Sequence, residues 1–353
     1  MNFKNSLLLT SIFILVGCGG GTSTPTVASF ELLDPDAEAN NQFGYSTVIL
    51  ANGNIVVTSP YDDTFATNAG AVHLYNPFTK TVVASFYGDT AEDYLGAGGV
   101  TALGNNNFVI ASYMDDVNGV RNAGSVMLVS GTSGAQIGAT LAGDTKDDQL
   151  GDNSVTALGN NNFVIASAYD NVNGVMDAGS VMLVSGTTGA QIGTTIAGDT
   201  AYDYLGNSSV TALGNNNFVI ASAYDDVNSV RNAGSVVLIN GTTGAQIGTT
   251  LAGDTTNDLL GNSSVTVLGN NNFVIASRFD DVNSVVNAGS VMLVSGTTGA
   301  QIGTTIAGDT ANDEIGESSV TALGNNNFVI ASAVDDVNGV TDAGSVMLVS
   351  GTS

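Results

Sequence analysis

The feature that most constrains the fold is an internal repeat. The triplet Gly-Asp-Thr begins at residues 88, 143, 198, 253 and 308, so it recurs every 55 residues without a shift in spacing. A repeat this regular indicates that the 353 residues are copies of one supersecondary unit rather than two or three unrelated domains. The fold must therefore explain how one such unit buries its apolar side chains.

Each unit contains four short apolar runs. In the copy that begins at Gly198 they are Ser209–Leu213, Phe218–Ser222, Ser235–Ile239 and Ala245–Leu251. Their length and their content of Val, Ile, Thr and Phe favour strands, because a helix needs about ten or more residues. The runs are apolar at nearly every position, so both faces of the resulting sheet must be covered.

The segments between the runs alternate in length. Gly-Asn-Asn-Asn and Gly-Thr-Thr-Gly make tight first and third turns, whereas the second and fourth connections are longer, as in 225–232 and 253–261. This pattern predicts a four-stranded antiparallel meander. Such units become stable when they pack face to face around an axis, so we predict an all-β fold, a β-propeller. A β-helix is the alternative, but its coils are usually shorter.

The number of units follows from their second strands. These begin at Ile55 and then at the phenylalanines 108, 163, 218, 273 and 328, which predicts six blades. The last unit stops at Ser353, before its fourth strand, and Val27–Leu33 lies ahead of the first unit, where a fourth strand belongs. We therefore expect this N-terminal strand to close the ring by completing the last blade, although a shortened chain would end in the same way.

The first residues predict export. Lys4 precedes an apolar run, Leu7–Val16, that is too short to span a bilayer and is typical of a secretory signal. Leu15-Val16-Gly17-Cys18 resembles the lipobox of bacterial lipoproteins. The resemblance implies cleavage before Cys18 and lipidation of that residue, the only cysteine in the chain. The alternative is ordinary secretory cleavage that leaves Cys18 incidental.

The lipobox also sets the predicted domain boundaries. Residues 1–17 form the signal peptide, the Gly/Ser/Thr/Pro-rich residues 18–26 form a flexible tether, and residues 27–353 form the propeller. Gly19 follows the cysteine, which in Gram-negative lipoproteins of this class implies sorting to the outer membrane, facing either the periplasm or the cell surface. Several acyl chains anchor a protein stably where one does not.

The first unit resembles an FG-GAP repeat, the blade of the integrin α-subunit propeller. The resemblance lies in Phe43-Gly44-Tyr45-Ser46, in Asn54–Asp63 and in Ala69–Tyr75. It implies an extracytoplasmic β-propeller that binds a ligand or partner. The family places a calcium loop between the first two strands of a blade, but Gly214-Asn215-Asn216-Asn217 and its copies lack the carboxylates that a hard cation needs.

The net charge of the chain limits the classes of partner that it can bind. Asp and Glu number 32 against 6 Lys and Arg, which gives a net charge of −26. This charge repels nucleic acid and anionic lipid head groups, so we exclude nucleic acid as a partner. A divalent cation or a basic partner would be attracted.

Strand parity concentrates the carboxylates on one face. In a meander the second and fourth connections lie at the same end of the blade, and these connections hold most of the aspartates, while the Asn/Gly turns lie at the other end. The same connections differ most between copies, as binding loops on a rigid frame do. The candidate calcium ligands are Asp89, Asp93, Asp115, Asp116, Asp144, Asp148, Asp199, Asp203, Asp225, Asp226, Asp254, Asp258, Asp280, Asp281, Asp309, Asp313, Asp335 and Asp336. The alternative for each is a solvated turn residue that caps its own backbone.

No feature of the sequence argues for catalysis. His73, the only histidine, falls in a third strand where other copies have Met or Val, so it is expected to be a strand residue. We predict a non-enzymatic, monomeric binding or adhesion module with a protein or glycan ligand, anchored to the membrane by lipid. No cofactor other than calcium is expected. The alternatives are a structural or assembly component of the outer membrane and a glycan hydrolase that uses loop carboxylates.

Overall fold

The computed structural model describes residues 30–152, 155–207, 209–262, 265–317 and 319–352. The predicted signal peptide, the tether and Cys18 lie outside these residues, as do residues 27–29 of the predicted N-terminal strand. The described residues contain no helix, and therefore none long and apolar enough to cross a membrane. The fold is all-β, with antiparallel sheets in a propeller-like arrangement.

In the described part of the chain, twenty-three strands form six sheets in chain order, each a meander. Sheets 1 to 5 have four strands and sheet 6 has three. The strands are β1 (Thr47–Ile49), β2 (Ile55–Ser59), β3 (Ala71–Asn76), β4 (Thr81–Tyr87); β5 (Val100–Ala102), β6 (Asn107–Ser112), β7 (Ser125–Ser130), β8 (Leu141–Ala142); β9 (Val155–Ala157), β10 (Phe163–Ser167), β11 (Ser180–Val184), β12 (Ile196–Ala197); β13 (Ser209–Ala212), β14 (Phe218–Ser222), β15 (Ser235–Ile239), β16 (Gln246–Ala252); β17 (Val265–Val267), β18 (Phe273–Ser277), β19 (Ser290–Val294), β20 (Gln301–Ala307); β21 (Ser319–Ala322), β22 (Phe328–Ser332) and β23 (Ser345–Val349).

The predicted strands of the fourth unit match β13 to β16 to within one residue at each end. Every residue of β14 is buried, which explains why its sequence is apolar without alternation. The unit forms a complete four-stranded antiparallel sheet by itself, unlike a coil of a β-helix.

The core lies between the sheets. Five buried clusters join consecutive sheets along the chain. Between sheets 3 and 4, for example, Val164, Val181 and Leu183 pack against Phe218 and Ile220. The repeated phenylalanine is at most 1% exposed in every copy. Each sheet is therefore stabilised mainly by its neighbours, as expected for repeat architectures.

The Asn/Gly turns also hold neighbouring sheets together. Asn105 Nδ2 and Asn107 Nδ2 both donate to the carbonyl oxygen of Gly186 in the next sheet, at 2.9 and 2.8 Å. The same pair of bonds ends on Gly131, Gly241, Gly296 and Gly351 at the other interfaces. The asparagines of the first turn of each sheet thus have a structural role at the interfaces.

The two ends of the stack of sheets differ. Residues 30–43 lie against sheet 1, where the Tyr75 hydroxyl donates to Leu33 O at 2.9 Å and the rings of Phe43 and Tyr75 are 6.1 Å apart. The outer face of sheet 6 is open, with Val346 73% exposed and Leu348 69% exposed.

The predicted closure by the N-terminal strand is therefore wrong for residues 30–33. They form no strand, and the sheet of β21, β22 and β23 has no fourth member among the described residues. Relative to sheet 1 they take the place that β4 takes relative to sheet 2, where Ala84 and Phe86 pack on Phe108 and Val129. Contacts with sheet 1, such as the hydrogen bond from Tyr75 to Leu33 O, place the segment there without pairing to β23, although Phe30 and Leu33 are about half exposed.

Candidate functional site: the acidic face

Each of sheets 1 to 5 is followed by a loop that is folded around one buried aspartate. In the loop after β12, Asp203 is 1% exposed and accepts bonds from the amides of Asp199 and Thr200 at 2.9 and 2.7 Å. The Thr200 hydroxyl donates to its other oxygen at 2.5 Å, and the amide of Asp226 approaches that oxygen to 3.3 Å. The Gly-Asp-Thr motif is thus the donor set for an aspartate at the end of the same loop.

The backbone on both sides of the buried aspartate is in the left-handed region. Tyr202 has φ = 70° and Tyr204 has φ = 49°, a conformation that is uncommon outside glycine. The amide of Leu205 donates to Ala178 O at 2.9 Å, which fixes the loop across the connection between β10 and β11. The bonds to Asp203 hold this backbone in place.

The structure brings the second and fourth connections together, as strand parity predicts. One carboxylate oxygen each from Asp199, Asp203 and Asp225 lie within 4.8 Å of one another, with Asp199 exposed and Asp203 buried. Asp225 comes from the repeat that follows, so the cluster spans two repeats. Equivalent clusters form from Asp89, Asp93 and Asp115, from Asp144, Asp148 and Asp170, and from Asp254, Asp258 and Asp280.

Asp170 lies in the second connection of its unit, on the predicted acidic face, but it was not among the predicted calcium ligands. Its copy reads Asp170-Asn171 instead of a pair of aspartates. Its position after β10 matches that of Asp225 after β14, and this register is the signal that could have identified it.

The third carboxylate of each cluster is held in an unfavourable environment. Burial raises the pKa of Asp225, the hydroxyl of Ser235 opposes this by donating to Asp225, and the nearby charges of Asp203 and Asp199 raise the pKa further. Asp115, Asp170 and Asp280 have their pKa raised by the same causes, burial first. A cation or a hydrogen-bond donor at the cluster would relieve this repulsion.

The second aspartate of each pair has a structural role. Asp226 Oδ1 accepts from the amide of Asn232 at 2.6 Å and closes the connection. In sheet 3 Asn171 makes the same bond, to the amide of Asp177 at 2.8 Å, so the bond needs an acceptor and no charge. Asp116, Asp281 and Asp336 each accept the equivalent amide. This bond engages Oδ1 of Asp116, Asp226, Asp281 and Asp336, and their role as calcium ligands stays a prediction.

The last loop follows the same pattern. Asp313 is fully buried and accepts from the hydroxyl and amide of Thr310, at 2.5 and 2.7 Å, and from the amide of Asp336 at 3.1 Å. Burial alone would raise its pKa, but the bonds from Thr310 and from the amides of Asp336 and Asp309 outweigh burial and lower it. The candidates Asp309 and Asp335 lie in the loops at this interface.

Tyrosines line the same end of the molecule. The ring of Tyr204 lies 5.9 Å from Tyr169 and 6.0 Å from both Tyr202 and Tyr224, and these three partners are 38–48% exposed. Burial and the nearby charge of Asp177 raise the pKa of Tyr204, so it stays neutral at physiological pH. The acidic face therefore combines neutral aromatic surfaces with carboxylates.

A second group of tyrosines lines a cavity of about 420 Å³ on this face. Its walls include Tyr45, Tyr61, Tyr94, Tyr113 and Glu92. Burial raises the pKa of Tyr113, and nearby acidic groups add to the effect. The cavity lies between the loops that follow β2, β4 and β6, where the repeats differ most.

The loop that precedes sheet 1 is a variant of the repeated loop, and sequence reasoning missed it. Asn41 stands where later loops have the buried aspartate: Ser59 Oγ donates to Asn41 O at 3.0 Å, as Ser112 Oγ does to Asp93 O at 2.7 Å. The flanking residues Asn40 and Gln42 have φ values of 74° and 54°. Asn41 is 3% exposed.

His73 joins this first cluster. Atoms of Asp34, Asp62 and His73 lie within 4.8 Å of one another, and Asp62 and His73 are at most 1% exposed. Burial lowers the pKa of His73, and the charges of Asp34, Asp36 and Asp62 oppose this shift in that order. The expectation that His73 is only a strand residue describes its backbone, which lies in β3, but not its surroundings.

No curated protein matches the chain. Solved structures do match; one of them, "Dihydro-heme d1 dehydrogenase NirN in complex with DHE", is 12% identical over 82% of this chain, with a TM-score of 0.43. The alignment covers 51% of that protein, so the chain spans about half its length.

A family profile described as "Repeat of unknown function (DUF5650)" matches five segments, at residues 49–97, 102–152, 157–206, 212–262 and 267–317. Each match runs from the end of a first strand through the loop with the buried aspartate, so each three-carboxylate cluster combines residues of two matches. Together the matches cover well over half of the chain, which therefore belongs to the DUF5650 repeat family.

Proposed function

We propose that the chain is a non-enzymatic binding module, exported and anchored through lipid on Cys18, that presents its acidic face to a ligand. The observation that carries the proposal is the recurrence of a three-carboxylate cluster beside tyrosines at the one end of the molecule where the repeats differ in sequence. Rigid sheets that carry variable loops are a common arrangement for recognition. The FG-GAP resemblance of the first unit supports the same role.

The chemistry of the face favours a ligand that is basic or rich in hydroxyl groups. Carboxylates accept hydrogen bonds from hydroxyl and ammonium groups, and tyrosine rings provide flat contact area with little conformational freedom to lose. Tyr202 and Tyr224 are 48% and 40% exposed and lie on either side of Tyr204, which suits a sugar ring or a basic side chain.

Dependence on a divalent cation is part of the proposal. Calcium takes carboxylate oxygens at about 2.3–2.6 Å, so oxygens that lie within 4.8 Å of one another can share one ion. The exposed member of each cluster, such as Asp199, leaves room for a ligand oxygen on the open side. A calcium ion would thus connect the face to an acidic or polyhydroxylated ligand that the carboxylates alone would repel.

The bonding of the clusters supports a non-enzymatic role. The buried carboxylate, Asp203 in one copy, is occupied by donors of its own loop. The same arrangement recurs with little variation, whereas catalysis needs one asymmetric group of acid, base or nucleophile.

The test is a calcium titration of the full chain, followed by its melting temperature and its binding to a glycan panel and to polylysine. We expect calcium to raise the melting temperature by mass action. The double variant Asp199→Asn/Asp254→Asn should respond less, because two clusters lose their exposed ligand. Glu31→Gln, an exposed change outside the acidic loops, is the matched control.

The outcomes separate the parts of the proposal. No change in melting temperature at millimolar calcium would remove the cation from it. Binding to neither probe, with or without calcium, would argue against recognition by this face. Turnover of a glycan in the panel, lost in Asp225→Asn, would replace the binding role by hydrolysis.

A further inference from the structure

The cluster next to sheet 1 differs from the repeated clusters because it contains a buried nitrogen without a partner. His73 Nδ1 lies 2.9 Å from Ser85 Oγ, so that atom is engaged. His73 Nε2 is buried and makes no hydrogen bond, and it points to the carboxylates, with Asp34 Oδ1 at 4.0 Å. A buried polar atom without a partner is costly, so its retention calls for an explanation.

The carboxylates of this cluster also lack an adequate counter-charge. Asp62 is 1% exposed and the Asp34 side chain is 7% exposed. Among the described ion pairs, the only one that includes either carboxylate is the 4.0 Å contact of Asp34 with His73. Buried carboxylates are ordinarily paired with a cationic group or bound to a metal.

The amide of Asn41 occupies the position between the two carboxylates. Its Nδ2 donates to Asp34 Oδ2 at 3.1 Å and to Asp62 Oδ2 at 3.0 Å, and it lies 3.3 Å from Asp36 O. Three acceptors surround a group with two hydrogens, and Asn41 Oδ1, also buried, has no donor. This is an oxygen-rich environment that a cation fits better than an amide does.

We propose that Asp34, Asp62 and His73 bind one divalent cation of the zinc class, with Asn41 beside it. An imidazole nitrogen with two carboxylate oxygens suits Zn²⁺ and its first-row neighbours, whereas Ca²⁺ takes oxygen ligands. The three atoms, now within 4.8 Å of one another, need to close on the ion by a small movement. The rings of Phe43 and Tyr87 lie 6.0 and 5.9 Å from the ring of His73, so aromatic groups pack around the imidazole.

The repeated clusters provide the contrast. At the position of His73 the later sheets have Met127, Met182, Val237, Met292 and Met347, paired to the second strand in the same register. Those clusters have oxygen ligands only. The zinc-class site therefore belongs to the first sheet, and its ion would fasten residues 34–41 to β3.

The test uses the full chain, purified without a histidine tag and freed of metal by a chelator. Zn²⁺ is then added, and bound metal per chain is measured. We expect one tight equivalent. His73 is the only histidine in the chain, so the imidazole signals in a ¹⁵N NMR spectrum can be assigned to it without ambiguity. Zn²⁺ should shift the Nε2 signal strongly and the Nδ1 signal weakly.

His73→Met is the decisive variant, since methionine already occupies this position in other sheets. It should weaken Zn²⁺ binding by at least about tenfold to a hundredfold, the loss known even for groups that only support a ligand. Asp62→Asn is a second variant that keeps an acceptor for the amide of Thr64, bonded at 2.8 Å. Asp199→Asn, in a repeated cluster, should leave the tight equivalent unchanged.

Three results would overturn the proposal: no tight equivalent in the wild-type chain, Zn²⁺ binding that His73→Met and Asp62→Asn leave unchanged, or imidazole signals that do not respond to Zn²⁺. None of them bears on calcium binding at the acidic face, because the repeated clusters contain no histidine.

Discussion

At the scale of single residues, the buried aspartate of each loop determines the conformation of its neighbours. Asp203 collects the amides of Asp199 and Thr200 and the Thr200 hydroxyl, while the residues on either side of it adopt left-handed backbone angles. A carboxylate in this position exchanges hydration for several fixed donors. Its main contribution is therefore to the folding of the loop that carries the acidic face.

Replacing Asp203 by alanine should lower the free energy of unfolding by about 2–4 kcal/mol, because several buried donors would lose their acceptor at about 1–3 kcal/mol each. Urea unfolding of the two proteins measures the difference. The control is Asp199→Ala, an exposed change four residues away in the same loop, which should cost less than about 0.5 kcal/mol. Equal losses in the two variants would contradict the anchoring role.

The third carboxylate of each cluster gives a pH dependence of opposite sign to the usual one for aspartate. Burial, with the charges of Asp203 and Asp199, raises the pKa of Asp225 above 3.8 in the folded state, so the folded protein binds this proton more readily than the unfolded chain. Stability from this group therefore falls as pH rises from 3.8 through the folded pKa, and stays lowered at neutral pH.

Asp225→Asn should thus stabilise the chain at pH 7, and the advantage over the wild type should shrink as the pH falls toward 4, a window set by the ordinary and raised pKa values. The asparagine oxygen can still accept from Ser235. Urea midpoints in calcium-free buffer across this range measure the effect. A variant that is less stable at pH 7, or a difference that does not depend on pH, would show that the charged form of Asp225 does not destabilise the folded state.

At the scale of the elements, the acidic face depends on a close crossing of two connections. Gly179 precedes β11 with φ = 74°, and a Cβ added there would lie 2.3 Å from the backbone nitrogen of Leu205. Leu205 follows the buried aspartate of the next loop. The crossing therefore sets how near the second and fourth connections, and their carboxylates, can approach.

Gly179→Ala should lower the free energy of unfolding by about 2–5 kcal/mol, because left-handed strain adds to a clash with backbone. Gly174→Ala is the matched control in the same connection: its φ is 82°, but nothing lies within 4 Å of the added Cβ. It should cost about 1–2 kcal/mol, the strain alone. Thermal or urea unfolding distinguishes them, and similar losses would mean that the crossing is looser than the structure indicates.

At the scale of the whole molecule, stability comes from five interfaces between six sheets. Val291 in sheet 5 is 1% exposed because sheet 6 covers it, whereas Val346, its counterpart in sheet 6, is 73% exposed. The same residue in the same strand position thus has two environments within one chain.

Val291→Ala should cost about 2–3 kcal/mol, from the loss of two buried methyl groups at about 0.8 kcal/mol each together with the cavity left behind. Val346→Ala should cost less than about 0.5 kcal/mol. The comparison is made by urea unfolding at several protein concentrations. A comparable loss for Val346→Ala would show that the outer face of sheet 6 is covered in solution.

Much of the architecture could be predicted because it is local. Phe218–Ser222 and Ser235–Ile239 are strands in the structure with the predicted bounds, since apolar runs of this length between Asn/Gly turns have few other ways to satisfy their backbone. Strand parity then places the Asn turns at one end and the aspartates at the other. The 55-residue period is visible in the sequence without any knowledge of side-chain packing or loop conformation.

Tertiary structure determined which side chains form each cluster and how the two ends of the row of sheets are packed. The carboxylates of Asp203 and Asp225 meet because the loop after β12 crosses the connection between β14 and β15, a contact between repeats that no spacing in the sequence reveals. His73 meets Asp34 because residues 30–43 pack on sheet 1 rather than pair with β23. The repeat by itself determined the strands, the sheets and the end of the molecule that is acidic. Only the packing between repeats determined which carboxylates share a cluster. Their side chains come from loops of different repeats, and the distance between those loops depends on how the sheets pack.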